Sequence, residues 1–145
     1  MPVRAPHSPA DFAAYYQLRY QVLRQPWNQP PGSERADDDE APTTIHALFA
    51  TDEGHVAGVG RLHPSGPHQA QVRYMAVDPA LQGQGIGQQV LKYLEEAARQ
   101  QGQTECILHA RQQAVPFYER LGYHVVAPSH LLFGTVQHYL MRKDL

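Results

Sequence analysis

The stretch Leu81–Gln100, LQGQGIGQQVLKYLEEAARQ, sets Gly83, Gly85 and Gly87 at alternate positions directly in front of an amphipathic helix pattern. Ile86, Val90, Leu91, Leu94, Ala97 and Ala98 form an apolar stripe of 3.6-residue period, and Gly102 stops it. Glycines lack a Cβ, so backbone N–H groups can close around an anion, and a helix behind them adds the positive end of its dipole. Two common phosphate loops are excluded by spacing. A Walker loop needs Lys and then Ser or Thr after its last glycine, whereas Gln88 and Gln89 follow Gly87. The dinucleotide pattern G-x-G-x-x-G breaks at Gln88 when counted from Gly83 and at Val90 when counted from Gly85. A plain strand-to-helix turn is satisfied by a single glycine. Three of them among Gln82, Gln84, Gln88 and Gln89 read instead as an anion site, suited to a pyrophosphate.

Working outward, Ser8-Pro9-Ala10-Asp11 carries the signs of a helix start: a serine cap, proline at the first helical position and an acid in the first turn. Phe12, Tyr15, Tyr16, Arg19 and Leu23 then repeat at helical spacing, which predicts a helix to about Arg24. Pro26, Pro30, Pro31 and Gly32 break it, and a long loop over about 25–43 follows, with the acidic run Asp37-Asp38-Asp39-Glu40 inside it. Strands are predicted at 45–50 and 55–62, joined as a hairpin, and at 70–77 after a Pro64–Pro67 turn. Beyond the glycine-led helix the pattern predicts a strand at 105–110, a short helix at 112–121, and strands at 123–126 and 136–141. This order predicts one α/β domain spanning residues 1–145, with a mixed sheet and helices on its faces.

Composition narrows the function classes. At 145 residues and 42% apolar, the chain is the size of one domain burying roughly two-thirds of its extended-chain surface. Its net charge is −2 and its 12 Lys and Arg are scattered, which argues against nucleic acid as a partner. No apolar run approaches the roughly 18 residues of a membrane helix, and the first residues carry no signal-peptide core. A lone Cys106 excludes an internal disulfide framework, so a reducing, cytoplasmic setting is expected. Nine histidines invite a metal, but none of them, nor Cys106, falls in a ligand spacing, and no metal is expected. Cys106 reads as a small buried hydrophobe.

Met75-Ala76-Val77-Asp78-Pro79, followed by Gln82-Gly83-Gln84-Gly85-Ile86-Gly87, resembles the acetyl-CoA loop of the GNAT superfamily of N-acetyltransferases, with its core Q or R, x, x, G, x, G or A. Ala114-Val115-Pro116-Phe117-Tyr118-Glu119-Arg120-Leu121-Gly122-Tyr123 is similar to the second signature of that superfamily, A-x-x-F-Y-x-x-x-G-F. The resemblance covers about 58–126. It implies a mixed, mostly antiparallel sheet of six to seven strands with a splayed central wedge. It implies acetyl-CoA as co-substrate: backbone N–H groups of Gln82, Gly83, Gln84 and Gly85, then Ile86, Gly87 and Gln88, would hold the pyrophosphate. Met75, Ala76 and Val77 would offer a strand edge to the pantetheine amides. Tyr118 matches the tyrosine that protonates the departing thiolate; a phenol with an ordinary pKa near 10 is a plausible acid toward it. Where family members often carry asparagine, this chain has Arg111, which could reach a phosphate or an acidic substrate.

Transfer to an amine also needs a base or a water chain opposite Tyr118. His46 and His138 have the ordinary pKa for one, and Glu34, Asp37, Asp38, Asp39 and Glu40 could bind or deprotonate a cationic amine. The segment from Tyr15 to His46 also resembles a GNAT subgroup and the acyl-homoserine lactone synthases, through Leu18, Arg19, Val22, Trp27, Glu34 and His46. Trp27 is either a packing residue or part of the acceptor pocket. Three functions stay open: an N-acetyltransferase acting on the primary amine of a small molecule, an acyl-CoA-binding sensor, and a protein-modifying acetyltransferase. A homodimer also stays open.

Overall fold

A computed structural model describes residues 2–145. Helix α1 spans Pro9–Leu23, with Ser8 as N-cap accepting from the Asp11 amide and proline at the first position, as its sequence dictates. A short 3-10 turn, Gln25–Trp27, and a series of turns lead to β2, Ile45–Ala50, after the two-residue β1, Val3–Arg4, at the start of the chain. The hairpin β3, Val56–Gly66, and β4, Gln69–Val77, precedes the glycine loop and α2, Ile86–Gln100. Then come β5, Glu105–Arg111, the short α3, Val115–Arg120, and the closing hairpin β6, His124–Leu132, and β7, Val136–Asp144.

The seven strands form one sheet in the order β1-β2-β3-β4-β5-β7-β6. Every neighbouring pair is antiparallel except β4 and β5, which α2 connects as a crossover. Successive strand side chains point to opposite faces, so adjacent Ala47 and Leu48 feed different cores. Ala47 joins Val90, Leu91, Leu94, Leu108 and Met141 under α2, whereas Leu48 joins Tyr15, Tyr16, Leu18 and Val59 under α1. Helix α2 lies close on β3 because Gly58 offers no Cβ; one built there would sit 2.6 Å from the Ile86 side chain.

Three boundaries depart from expectation. The turn expected at Pro64–Pro67 shrinks to Pro67-His68, with β3 paired through Gly66 and His68 at φ 62°. The last two strands run further than expected, to Leu132 and Asp144, because β7 pairs with β6 from Val136 to Arg142 and with β5 out to Asp144. Strand β1 was not anticipated, since two residues carry no period; its register is fixed by Val3 opposite Phe49 and by the Arg4–Asp11 ion pair at 2.6 Å. Among the described residues, no helix is long and apolar enough to cross a membrane.

Candidate active site

The glycine loop is built to expose backbone donors. Asp78 caps a 3-10 turn at Pro79–Leu81 through the Ala80 amide, and the chain then passes through Gly83 and Gly85, at φ 79° and 78°. That left-handed conformation costs a residue with a Cβ about 1–2 kcal/mol. Gly85 is the N-cap of α2 and offers no side chain to the first turn, whose first helical bond is from the Gln89 N–H to the Gly85 carbonyl, 3.1 Å. The amides of Ile86, Gly87 and Gln88 therefore precede any intrahelical acceptor. They face a cavity of about 700 Å³, lined also by Val77, Gln82 and Phe117.

The neighbouring strand opens toward this cavity. β4 and β5 pair only from Gln69 opposite Glu105 to Val72 opposite Leu108. Beyond that, Arg73–Val77 and His109–Arg111 diverge without a ladder, leaving the wedge that the resemblance implied. The divergence has a local cause. Val59 pairs with Ala76 but Arg61 pairs with Arg73, so Tyr74 and Met75 face the single residue Gly60. This is a β-bulge, and Tyr74 takes up its bend at φ 58°. The bulge turns the Met75–Val77 edge out of the sheet, with its amides and carbonyls free of β5.

On the far side of the wedge lies a second cavity, of about 380 Å³. Met75, Arg111, Ala114 and Tyr118 line both cavities, so the Tyr118 phenol stands at their junction. Its side chain is buried, edge-on to Phe117 and Tyr123 at ring separations of 4.9 and 5.9 Å. Burial pushes its pKa well above the ordinary tyrosine value, with Arg111 pulling the other way, so the phenol stays protonated.

His138 on β7 lines the second cavity as well. Its Nδ1 lies 3.0 Å from the Val136 carbonyl, an acceptor that holds the proton on Nδ1 and leaves Nε2 with the lone pair. Burial, opposed by that hydrogen bond and joined by the nearby His130 and Arg111, holds its pKa below the ordinary histidine value. A neutral imidazole with a free Nε2 can accept a proton.

The other expected site residues lie elsewhere. His46 lines neither cavity: its Nδ1 is 2.7 Å from the Tyr15 hydroxyl and its Nε2 is 2.7 Å from the Asp39 carbonyl. Arg19 donates to Tyr15 in turn, at 2.8 Å, so both ring nitrogens serve a buried chain of hydrogen bonds. Glu34 is buried and closes its own loop, accepting from the Gly32 amide at 2.8 Å. Within the acidic run Asp37 and Glu40 are exposed, whereas Asp38 and Asp39 turn inward to arginines. Asp39 takes Arg19 on one oxygen at 2.9 Å and Arg61 on the other at 2.8 Å, and Asp38 takes Arg61 at 2.7 Å. Both arginines are fully buried, and their counterions must accompany them. This cluster fastens the 25–43 loop to the sheet.

The loop in turn carries Trp27 to the second cavity, 6.1 Å from the Phe133 ring. Tyr74, His109, His130 and Phe133, together with Arg24 and Arg73, also line that cavity without having been singled out from sequence. They come from the C-cap of α1, β4, β5, β6 and the β6–β7 turn, and no local spacing joins them. One signal was readable: Arg61 stands alone in the apolar run Val56–Leu62, and a buried charge announces a counterion. Among the described residues, no group of three or more metal-ligating side chains converges.

The profile of the Acetyltransferase (GNAT) family matches residues 12–123. The chain is 30% identical over 131 residues to the protein YjcF of Bacillus subtilis (strain 168), described as an uncharacterized N-acetyltransferase, covering 90% of each chain. The crystal structure of a candidate N-acetyltransferase from Lactobacillus plantarum superposes with a TM-score of 0.85 at 28% identity, covering 99% of this chain and 97% of the other. An aminoglycoside 6'-N-acetyltransferase complexed with coenzyme A shares the fold, with a TM-score of 0.80 at 18% identity over 99% of this chain and 97% of its own.

Proposed function

The chain belongs to the GNAT acetyltransferase family and is an acyltransferase, and from that premise we propose that it moves the acetyl group of acetyl-CoA to the primary amine of a small molecule. The observation that carries this reading is the junction at Tyr118, where a backbone-lined cavity and a side-chain-lined cavity meet through an unpaired wedge. The positive-φ glycine loop and the uncapped first turn of α2 suit the pyrophosphate. The free Met75–Val77 edge suits the pantetheine amides, which would extend the sheet as a strand does. A second cavity of about 380 Å³ suits a small acceptor, being of the size that encloses a metabolite.

The chemistry follows from the two faces of the wedge. The ammonium form of the acceptor gives a proton to His138 Nε2, directly or through water, and the nitrogen lone pair so freed attacks the thioester carbonyl carbon. An N–C bond forms and the C–S bond breaks. The sulfur leaves with the bonding pair and takes the Tyr118 proton, the second nitrogen proton passes to the phenolate so formed, directly or through water, and His138 releases its proton to solvent, giving the neutral acetamide and free CoA thiol. Burial makes the phenol a weaker acid, but a thiolate born in the same low-dielectric setting is a stronger base, so the transfer stays matched.

Thermal-shift and turnover screening with acetyl-CoA and several amine classes tests the reading, since a ligand of the fold raises its melting temperature by mass action. Stabilisation by acetyl-CoA with amine-dependent release of CoA thiol is the expected result. Stabilisation with no turnover on any free amine would favour a sensor or a protein modifier, and no stabilisation by any acyl-CoA would overturn the reading.

A further inference from the structure

The second cavity has an unusual charge inventory. Arg24, Arg73, Arg111, His109, His130 and His138 line it, and no Asp or Glu does. The two buried arginines of the loop cluster are each matched to aspartates within 3 Å. Among the described residues, Arg24, Arg73 and Arg111 have no carboxylate within ion-pair distance. Instead, each guanidinium lies over an aromatic ring of the same cavity: Arg73 over Tyr74 at 4.6 Å, Arg24 over Phe133 at 5.6 Å, and Arg111 over Trp27 at 5.7 Å. Arg24 is further anchored by donating to the Ser33 and Leu23 carbonyls. Stacking holds these planes in place without neutralising them.

Arg24 and Arg111, half-buried in the recess, and Arg73, exposed at its rim, together give it a positive potential that repels a polycation and attracts an anion. Burial first, then His130, and after it Arg73 at His109 and Arg111 at His138, hold both histidines below the ordinary histidine pKa. We propose that the acceptor amine also bears an anionic group, a carboxylate or a phosphate, which Arg73 and Arg24 receive at the mouth while Trp27, Tyr74 and Phe133 cover its apolar body. This rests on the acetyl-transfer reading above and specifies its acceptor. The anionic group also orients the amine: with the charge held at the arginines, the nitrogen is left to point toward the Met75–Tyr118 junction.

Trp27 is the only tryptophan of the chain and lines this cavity, so its fluorescence reports occupancy without turnover. The probes are three matched pairs of acetylated products: N-acetylglycine and its amide, N-acetylphenylalanine and its amide, and N-acetylphosphoethanolamine with N-acetylethanolamine. In at least one pair the anionic member should quench Trp27 with a Kd about tenfold lower than its neutral partner, about 1.4 kcal/mol. The carboxylate and phosphate pairs tell the two sources apart. Arg73→Gln should shrink that preference about threefold or more, and Arg73→Lys should restore most of it, since the charge and not the packing is at stake.

Neutral members binding as tightly in every pair, no quench by any probe, or a preference unmoved by Arg73→Gln would each overturn the proposal. Acetyl-CoA stabilisation measured on the same samples separates the two failures. Its presence without an anion preference overturns only the acceptor class, and its absence overturns the donor reading beneath it.

Discussion

The two cavities on either side of Tyr118 are built from different materials. The proposed donor side takes its hydrogen-bond donors from backbone: a turn, two left-handed glycines and the open end of α2 within Asp78–Gln88, beside the free Met75–Val77 edge. The proposed acceptor side is lined by residues from the end of α1, the following loop, β4, β5, β6, the β6–β7 turn and β7. The difference teaches where change is tolerated. A backbone cradle is broken by altering chain conformation at a glycine, whereas a side-chain cradle is retuned one residue at a time while the frame stands.

The largest effect should come at the junction itself. Tyr118→Phe removes the proposed proton donor and little else, so kcat should fall by about 10²–10⁴-fold, the usual worth of general acid catalysis, while acetyl-CoA still raises the melting temperature. Steady-state kinetics beside thermal shift read both halves; an unchanged kcat would show that the thiolate leaves without the phenol.

Next in size is the frame of the acceptor side. Asp39→Ala leaves Arg19 and Arg61 short of a buried counterion, and removing one partner of such a pair costs about 3–5 kcal/mol. The chemical-denaturation midpoint should drop accordingly. The same cluster sets an acid limit. Desolvation by burial raises the Asp39 pKa, but the Ala36 amide, Arg61 and Arg19 outweigh it and hold the group below the usual carboxylate value. Hydrogen bonding to Arg61 does the same for Asp38. Since folding depresses both, their stabilisation is present above the unfolded pKa of about 4 and lost as pH falls through the folded values. A melting temperature that does not fall on acidification through that range would contradict the assignment.

A smaller effect should separate the cavities. Gly85→Val forces a β-branched residue to φ 78°, a strain of about 1–2 kcal/mol. The KM for acetyl-CoA should rise about tenfold with the acceptor KM little changed; equal rises in both would show that the sides are not independent. Comparable in size is the effect of the base proposed at His138. With His138 required neutral, kcat/KM should fall as pH drops through a pKa below the ordinary histidine value, and His138→Gln should abolish that limb and slow turnover about tenfold or more. A limb that persists in the variant belongs to another group.

Legibility follows the same division. The donor side was readable because its parts are contiguous: glycine spacing, the helix stripe and the Ala114–Tyr123 signature each lie in one short window. Helix α1 was readable from its cap for the same reason. The acceptor side was not. Arg24, Arg73 and Phe133 are scattered along the chain, and only the bulge at Tyr74 and the loop fastened by Arg19 and Arg61 bring them to one recess. The run Asp37–Glu40 looks solvated when read alone, because nothing local says that Arg61 waits beneath it. His46 was attractive by residue type, yet hydrogen-bond partners at both ring nitrogens come from elements that the sequence does not juxtapose.

The central claim is acetyl transfer across the Tyr118 junction, and mass spectrometry of a reaction containing acetyl-CoA and an amine tests it most directly. Stoichiometric appearance of the N-acetylated amine and free CoA thiol, strongly reduced in Tyr118→Phe, is the predicted result. Full-rate product formation in that variant, or none from the wild-type protein with any free amine, would contradict it.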